Sequence, residues 1–363
     1  MLVAKICLTG GPCGGKSTAL SKIEQTLTDN GYKVFVIEET ATRYINAGIK
    51  PFGEDSISMF DFEGEILKEQ LIEEQAFTKT ANLLDKKCII LCDRGIFDIK
   101  SFITNEEFDY LLNKHNLSKI KLMDSYNMVI NLNTVAKGKP ELYTLDNNTA
   151  RSEGIKEAII RDDKCEDAWS FHQNLKIIDN STNFEEKINR VINEITNYLG
   201  IEKRHDKKYL VELNDDFDNF IKEKELVKTK IKQTYLYTDK GCEIRLRKRT
   251  VDNNSTYYIT VKKNNYNEQK IVTEELISKD EYERILESRQ IINEVEKQRI
   301  SFVHDDKFYK LDLFKDGLCI LETDVIKNVP TCIKIIEDVT NIDDYYNVNI
   351  KSNKKGKVLK WYM

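Results

Sequence analysis

The sequence lacks an apolar run long enough to cross a membrane, and it lacks the short apolar core of a secretory signal. We therefore predict a cytoplasmic protein without a transmembrane segment. Positive charge is not in excess either, because 56 lysines and arginines stand against 61 aspartates and glutamates, giving a formal charge of −5. Proteins that coat nucleic acid rely on basic surface. Nucleic acid is therefore not expected as a partner.

Paired cysteines with the spacing of a zinc site are also missing, although the chain has eight cysteines. Cys88 and Cys92 fall within an apolar run, which favours packing in a core over metal binding. Reduced thiols of this kind are typical of a cytoplasmic protein. The sequence contains no internal repeat and no long low-complexity linker.

The length and the pattern of elements predict two domains. At 363 residues the chain exceeds the usual size of one domain, which is roughly 100–200 residues. Strands and helices alternate up to Gly200, a charged segment "IEKRHDKK" follows, and the remainder is mostly strands. We predict an α/β P-loop kinase-like domain over residues 1–200, with a parallel sheet flanked by helices. An α+β domain built on an antiparallel β-barrel is expected over residues 204–363.

The stretch "LTGGPCGGKSTAL" carries the strongest signal. It contains the spacing G-x4-G-K-[ST] between an apolar strand and a helix, which is the setting of a phosphate-binding loop. Glycines let successive N–H groups curl towards one anion, and the helix start favours negative charge. We predict binding of ATP or GTP, with Lys16 at the β/γ-phosphates and the Ser17 hydroxyl facing Mg²⁺. The predicted nucleotide-binding residues are Gly10, Gly11, Pro12, Cys13, Gly14, Gly15, Lys16, Ser17 and Thr18.

Three further residues join Lys16 as catalytic candidates. Asp93 follows a buried strand, where open α/β sheets bind ligands, and is expected either to hold the water shell of Mg²⁺ or to take a proton from an acceptor. Glu39 competes for the role of base, against a reading as an exposed charge at a strand end. Arg151 opens a charged helix and is predicted to fold over the phosphates, against a reading as a solvated helix start.

The first half resembles the AAA_28 group of P-loop domains, which includes the kinase-like domain of the NAD-biosynthesis regulator NadR. The resemblance lies in "LTGGPCGGKST", "EETATRYINAG", "LCDRGIFD", "NTVAKG" and the helix that Arg151 opens. It covers most of residues 1–199. It implies binding of a nucleoside triphosphate and leaves the acceptor unassigned.

The second half alternates charged with other residues along several predicted strands. In "CEIRLRKR", for example, Glu243, Arg245, Arg247 and Arg249 share one face of a strand. Such faces are ordinarily exposed to solvent. If they turn inward and the sheet closes, they form a basic lumen for a polyanion, with Glu322 and Asp324 among the carboxylates available to a metal ion. The other cations of these faces are Lys262, Lys297, Arg299 and Lys310.

This half resembles the CYTH, or triphosphate tunnel, superfamily over about residues 204–350. The matching segments include "DKKYLVEL", "CEIRLRKR", "YYITVKK", "VEKQRISF", "YKLDLFKDGLCILETDV" and "IIEDVTNIDDYYNVNI". The family's opening E-x-E-x-K corresponds to Arg204-x-Asp206-x-Lys208 here. The resemblance implies that Lys208 joins the tunnel cations and Asp206 the metal ligands. Because Arg204 replaces a carboxylate, binding of a phosphorylated ligand is predicted ahead of triphosphate hydrolysis.

Two functions are consistent with this organisation. A P-loop domain of this group followed by a CYTH domain resembles the TRPL translocation defect protein family, which implies a non-catalytic regulator of membrane traffic that binds GTP and a phosphoinositide headgroup. Peripheral membrane contact would then involve the basic tail "KSNKKGKVLKWYM". The alternative, which we favour, is a Mg²⁺-dependent phosphotransferase or hydrolase of ATP or GTP coupled to a tunnel that binds a small phosphorylated ligand or a triphosphate.

Overall fold

A computed structural model describes residues 3–143, 154–199, 207–239, 242–264, 270–324 and 326–350. The chain forms two compact units, Met1–Ile195 and Thr196–Met363. The predicted domain boundary at residues 200–204 lies outside the described residues. Across the described ranges, none of the helices combines the length and the apolar character needed to span a bilayer.

The described part of the first unit contains a five-stranded sheet in the order β2-β3-β1-β4-β5, and every pairing is parallel. Short, apolar strands such as "CIILCD" suit a parallel sheet, which is covered on both faces. The predicted parallel sheet is thereby confirmed. Its strands are β1 Val3–Thr9, β2 Lys33–Ile37, β3 Cys88–Asp93, β4 Met128–Leu132 and β5 Leu175–Ile178.

Helices connect these strands and flank the sheet. In the first helix, Ala19, Leu20, Ile23 and Leu27 are buried at spacings of three and four residues, which places them on one face. The helices are α1 Lys16–Asp29, α2 Thr40–Asn46, α3 Met59–Asn82, α4 Asn105–Lys114, α5 Lys119–Met123, α6 Ile155–Trp169 and α7 Phe184–Tyr198. Short 3₁₀ helices cover Ile96–Ser101 and Pro140–Leu142.

The second unit contains, within its described residues, a nine-stranded antiparallel sheet in the order β10-β9-β8-β7-β11-β12-β13-β6-β14. The strands are β6 Lys207–Leu213, β7 Lys228–Asp239, β8 Cys242–Val251, β9 Asn254–Asn264, β10 Lys270–Ile277, β11 Asn293–His304, β12 Lys307–Phe314, β13 Cys319–Thr323 and β14 Ile333–Asp338. Two helices accompany them, α8 Phe217–Glu223 and α9 Lys279–Ser288.

Two tight hairpins set the register of this sheet. Asp252 and Asn253 join β8 to β9, and Asp305 and Asp306 join β11 to β12; all four have positive φ angles, between 46° and 64°. Two-residue turns with both φ angles positive match the twist of the flanking strands, and Asn and Asp tolerate that conformation better than other non-glycine residues. The local sequence therefore fixes which residues pair across these strands.

The pairing gives this sheet one apolar and one charged face over much of its length. Ile300, Phe302, Tyr309, Leu311 and Leu321 pack in one buried cluster. Residues that alternate with them on the same strands carry the charges. Among the described residues, β10 and β14 each pair with one neighbouring strand, so the observed sheet is open and the closed barrel remains a prediction.

Candidate functional site

The glycine-rich loop between β1 and α1 has the backbone that its sequence predicts. Gly10 and Gly15 have φ angles of 125° and 90°, in the region that side chains disfavour. A Cβ atom on Gly10 would lie 2.2 Å from the carbonyl oxygen of Leu132, and one on Gly14 would lie 2.4 Å from the same oxygen. The end of β4 therefore presses directly against the loop, and only glycine fits at both positions.

Asp162 of α6 anchors the first part of the loop. Its buried Oδ1 accepts hydrogen bonds from the backbone N–H of Gly11 at 2.6 Å and of Thr134 at 3.2 Å. The Thr134 hydroxyl in turn donates to the carbonyl oxygen of Pro12 at 2.5 Å. Lys137 balances the charge of Asp162 with an ion pair of 3.0 Å. The loop is thus held by groups far away in the sequence.

Lys187 of α7 anchors the second part. Its Nζ donates to the carbonyl oxygens of Gly14 at 3.1 Å and Asn133 at 2.7 Å, and to Oδ1 of Asn180 at 2.8 Å. Burial lowers the pKa of this amine to about 8. Our sequence analysis missed Lys187. The signal was present, because Lys187 lies four residues before Val191 on the face that α7 buries.

Lys16 lies at the start of α1 and contacts the loop itself. Its Nζ donates to the carbonyl oxygens of Gly10 at 2.9 Å and Gly11 at 3.0 Å. The pKa of Lys16 is lowered, mainly by burial and then by the charge of Arg94; the charge of Asp93 partly opposes this shift. Ser17 and Thr18 follow on the exposed side of the helix start, where their hydroxyls are accessible to a ligand.

The predicted acidic candidates come together beyond the carboxyl ends of β2 and β3. Asp93 Oδ1 is buried and has no hydrogen-bond partner among the described residues. Burial raises the pKa of Asp93 to about 6, Lys16 opposes the shift and Glu39 adds to it. Lys16, Glu39 and Asp93 are thus close enough to influence one another's pKa.

Arg94 organises this group. It adopts a left-handed backbone with φ 70°, and its guanidinium hydrogen-bonds Glu39 and lies 3.5 Å from Asp98. Burial would raise the pKa of Glu39, but the charges of Arg94 and Lys16 and the Thr42 hydroxyl outweigh it and bring that pKa to about 2. Glu39 is therefore an ionised carboxylate at neutral pH. Arg94 was not among the predicted site residues, although it directly follows Asp93.

The second unit carries a separate group of charged residues on one face of its sheet. Asp312 accepts from Lys297 at 2.5 Å and from Arg299 at 2.6 Å, and Arg299 also reaches Glu322 at 2.9 Å. Lys208 lies 3.8 Å from Glu322. Lys297 and Asp312 are each at most 5% exposed, so this network lies in the interior of the unit.

A second network lies on β8, β9 and β10. Arg247 pairs with Glu274 at 2.7 Å, and Lys262 pairs with Glu243 at 2.7 Å. Arg245 lies 3.7 Å from Glu243. Glu274 was missed from the sequence because β10 has no charge alternation of its own.

Some predicted residues are not tested by this geometry. Arg151 and Asp206 lie outside the described residues, as does the basic tail 351–363. Lys310 lies opposite Glu322 in the register of β12 and β13, while Asp324 is exposed in a bend after β13. Within the described ranges, no three His, Cys, Asp or Glu residues are grouped as metal ligands, so the carboxylate metal site of this unit remains a prediction.

Comparison with solved structures gives limited overlap. The PH1819 protein from Pyrococcus horikoshii OT3 is 19% identical with a TM-score of 0.26, over 34% of this chain and 79% of that chain. The PH1012 protein of the same organism is 18% identical with a TM-score of 0.26, over 34% and 80%. A conserved hypothetical protein from Pyrococcus furiosus is 17% identical with a TM-score of 0.26, again over 34% and 80%. Similarity at this level supports no conclusion about fold or function.

Comparison with families is more informative. No curated protein matches the chain. The model of the AAA_28 family, described as an AAA domain, matches residues 5–187, which is half of the chain and includes the P-loop, Glu39, Asp93 and the two anchoring residues Asp162 and Lys187 (the last at its end). Together with the parallel sheet and the strand–loop–helix geometry, this match shows a nucleotide-binding P-loop fold, and the chain belongs to the AAA_28 family of AAA domains.

Proposed function

We propose that the first unit transfers the γ-phosphoryl group of ATP or GTP to an acceptor. The observation that carries this proposal is the meeting of Lys16 with Asp93, Glu39 and Arg94 at one edge of the parallel sheet. A loop that only binds nucleotide needs the glycines and Lys16. Transfer additionally uses a proton acceptor, and Asp93, whose pKa burial raises to about 6, can serve as one.

The two carboxyl groups suit different roles. The pKa of Asp93, about 6, is close to neutral pH, so Asp93 is the better acceptor for the proton of an attacking hydroxyl. Glu39 has a pKa of about 2 and holds Arg94 in place. In the proposed step the acceptor oxygen bonds to the γ-phosphorus, the bond between that phosphorus and the β–γ bridging oxygen breaks, and Asp93 receives the proton. The nucleoside diphosphate leaves.

The residues present fit Mg²⁺. Ser17 has an exposed hydroxyl at the start of α1, and the Oδ1 of Asp93 is a buried acceptor with no partner among the described residues. Mg²⁺ usually takes one or two protein ligands beside phosphate oxygens and waters, so a large carboxylate cluster is not needed. Ser17 would hold the ion directly; Asp93, which is assigned above to the proton, is the alternative ligand through water. When bound, the ion would neutralise charge on the β- and γ-phosphates.

For the second unit we propose binding of a triphosphate or another small phosphorylated ligand on the charged face. Among the described residues, the cations predicted for this face outnumber the carboxylates that they contact, Glu243, Glu274, Asp312 and Glu322. The cations are Lys208, Arg245, Arg247, Arg249, Lys262, Lys297, Arg299 and Lys310. Phosphate oxygens can accept from several of them at once, which is the strongest kind of hydrogen bond available to an anion. A closed tunnel around this face is part of the proposal.

Phosphorus NMR tests the first unit. The protein with Mg²⁺ is supplied with ATP or GTP, with and without candidate acceptors, and compared with Lys16→Ala. We expect the γ-phosphate signal to decay in the wild type and to persist in the variant. In a parallel sample with tripolyphosphate in place of the nucleotide, cleavage that persists in Lys16→Ala would instead place chemistry in the second unit. Nucleotide signals that broaden on binding but never decay would contradict transfer and favour a non-catalytic, nucleotide-switched regulator.

Calorimetric titration tests the charged face. We expect Arg247→Ala to weaken binding of tripolyphosphate by at least tenfold, because each charged hydrogen bond contributes roughly 1.5–3 kcal/mol. Lys248→Ala is the matched control, since Lys248 is the next residue on β8 and points to the other face. Equal isotherms for wild type and Arg247→Ala would refute a ligand site there. Inositol phosphates in the same titration test the phosphoinositide alternative.

A further inference from the structure

A cavity opens beside Arg94, next to the proposed site of transfer. It is small, partly open to solvent, and lies between α3, the start of α2 and the 3₁₀ helix Ile96–Ser101. Its polar lining includes Glu39, Glu63, Gln70 and Asp98, and its apolar lining includes Phe102. The cavity therefore combines an apolar wall with several carboxyl groups a short way from Asp93.

Glu63 is the residue of this cavity that the rest of the fold does not explain. It lies on the buried side of α3, is 3% exposed, and has no hydrogen bond or ion pair within the described part of the chain. A buried carboxyl group without a partner destabilises a protein by its lost hydration. By contrast, Gln70 on the same helix donates to Glu74 and to the carbonyl oxygen of Arg94.

The charged groups around Glu63 come from four elements. Burial is the main influence and raises its pKa to about 8; Arg94 after β3 and Arg161 of α6 oppose the shift, while Asp98 of the 3₁₀ helix and Glu39 before α2 add to it. The carboxyl group therefore carries its proton at neutral pH. In that form it both donates and accepts a hydrogen bond, so it can pair with a hydroxyl of an uncharged ligand in either direction.

The charge of the lining disfavours an anionic ligand. Of the described residues that line the cavity, only Arg94 is cationic, and its guanidinium is already engaged by Glu39 and Asp98. A phosphorylated acceptor would bring two negative charges towards those carboxylates, while Arg161, the other cation near Glu63, does not line the cavity. An acceptor with hydroxyls and no charge meets no such opposition.

We propose that this cavity receives the phosphoryl acceptor, and that the acceptor is an uncharged, hydroxyl-bearing small molecule held through the carboxyl group of Glu63. The inference rests on the proposed transfer in the first unit and specifies its substrate class. Glu63 acts here as a specificity residue: it binds the acceptor and takes no part in the exchange of bonds at phosphorus. Asp93 remains the group that receives the proton of the attacking hydroxyl.

Ligand-observed NMR with matched pairs tests the substrate class. The full chain, with Mg²⁺ and a non-hydrolysable triphosphate, is titrated with adenosine, cytidine, ribose and glucose and with the 5′- or 6-phosphate of each. We expect at least one uncharged member to bind, and its phosphate to bind at least tenfold more weakly. A preference for the phosphorylated partner, or no binding by any uncharged member, would refute the proposal.

Variants of one helix test the role of Glu63. Glu63→Ala is expected to weaken acceptor binding at least tenfold, whereas Glu65→Gln, at an exposed position of α3, leaves it unchanged. Wild-type affinity should fall as pH rises past about 8, because Glu63 then ionises, while Glu63→Gln should keep its affinity at pH 9.5. A wild-type and a Glu63→Gln protein with the same pH profile would contradict the assignment.

The γ-phosphate signal in the same samples, with ATP or GTP in place of the analogue, separates this inference from the proposed function. Transfer to a phosphorylated acceptor would support the phosphotransferase and refute the inference. Glu63-dependent binding of an uncharged molecule without any transfer would refute the phosphotransferase and leave the cavity as a binding site of the stated specificity.

Discussion

Lys187 shows how a single side chain maintains the phosphate-binding loop. Its amine is buried and donates to three oxygens: the carbonyl of Gly14 in the loop, the carbonyl of Asn133 after β4, and Oδ1 of Asn180. A buried oxygen that loses its donor contributes a desolvation penalty with nothing to offset it. Lys187 thus stabilises the loop by linking it to α7 and to the residues after β4 and β5.

We expect Lys187→Met to lower the free energy of unfolding by about 3 kcal/mol, because it leaves these oxygens without a donor while keeping the side-chain volume. Lys22→Met, on the exposed side of α1, should change it by less than about 0.5 kcal/mol. Urea unfolding followed by circular dichroism measures both. Equal losses in the two variants would contradict the anchoring role.

The same variant carries a prediction about pH. The folded-state pKa of Lys187, about 8, lies below the ordinary 10.5, so between these values the unfolded chain binds the additional proton. The contribution of Lys187 to wild-type stability therefore rises as pH increases from 8 to 10.5. We expect the stability difference between wild type and Lys187→Met to widen over that interval. A constant difference would show that the amine titrates normally.

Among single residues, the sequence predicted those that lie together in one short motif. Gly10, Gly15 and Lys16 lie within one short motif, and the physical demands on each follow from the loop itself. Asp162 and Lys187 were not predicted, because each reaches the loop from more than 150 residues away in the sequence. Nothing nearby marks which buried charge will face which carbonyl, since only the packed helices α6 and α7 bring them there.

In the second unit, side chains of β11, β12 and β13 form a network of linked ion pairs. Asp312 on β12 is the central acceptor, because it binds both Lys297 and Arg299 of β11. All three side chains are mostly removed from solvent, with Asp312 at 1% exposure. Loss of the shared carboxylate therefore leaves two cations in a poorly hydrated interior.

We expect Asp312→Asn to destabilise the second unit by about 3–5 kcal/mol, the usual result of removing one partner from a buried ion pair. Glu296→Gln is the matched control: Glu296 also bonds a cation, Lys315, but both side chains are largely exposed. The free energy of unfolding of Glu296→Gln should fall by less than about 1 kcal/mol. Thermal unfolding of both variants distinguishes them. If the face binds anions, tripolyphosphate should stabilise Asp312→Asn more than wild type, because Lys297 and Arg299 have lost their shared carboxylate there.

The elements themselves were largely predictable. Apolar runs predicted the strand before the glycine-rich loop and the strand that ends at Asp93, and the period of two in "CEIRLRKR" predicted the charged face of β8, which strand pairing then extends across the sheet. The helix predicted to start at Arg151 is described from Ile155 onward. Sheet closure was beyond prediction, because period two says which residues share a face and nothing about how strongly the sheet curves.

In the whole molecule, two ligands of similar chemistry are expected to bind to two units. ATP or GTP carries a triphosphate, and the charged face of the second unit is proposed to accept a triphosphate as well. A ligand that binds only the folded state stabilises the unit it contacts, by about 2.7 kcal/mol at 100 times its Kd. The location of protection therefore reports where each ligand is held.

Hydrogen exchange with mass spectrometry measures that location. We expect nucleotide with Mg²⁺ to slow exchange in residues 10–18 and tripolyphosphate to slow it in β8 and β11. Lys16→Ala should abolish the first effect and preserve the second. If nucleotide protects β8 in Lys16→Ala as strongly as tripolyphosphate does, the second unit is itself a nucleotide site and the division of ligands proposed here is wrong.

The contacts of Lys16 have a consequence for how the loop discriminates among ligands. The ammonium already satisfies two loop carbonyls, so a phosphate that recruits it must replace both bonds. The affinity for a phosphate then depends on how much stronger its contacts with Lys16 are than the two carbonyl contacts that they replace. The carbonyls of Gly10 and Gly11 thus compete with the ligand for the ammonium. A nucleotide whose phosphate chain stops short cannot complete that exchange. Nucleotides whose phosphate chain reaches Lys16 would thereby be favoured over those whose chain ends before it.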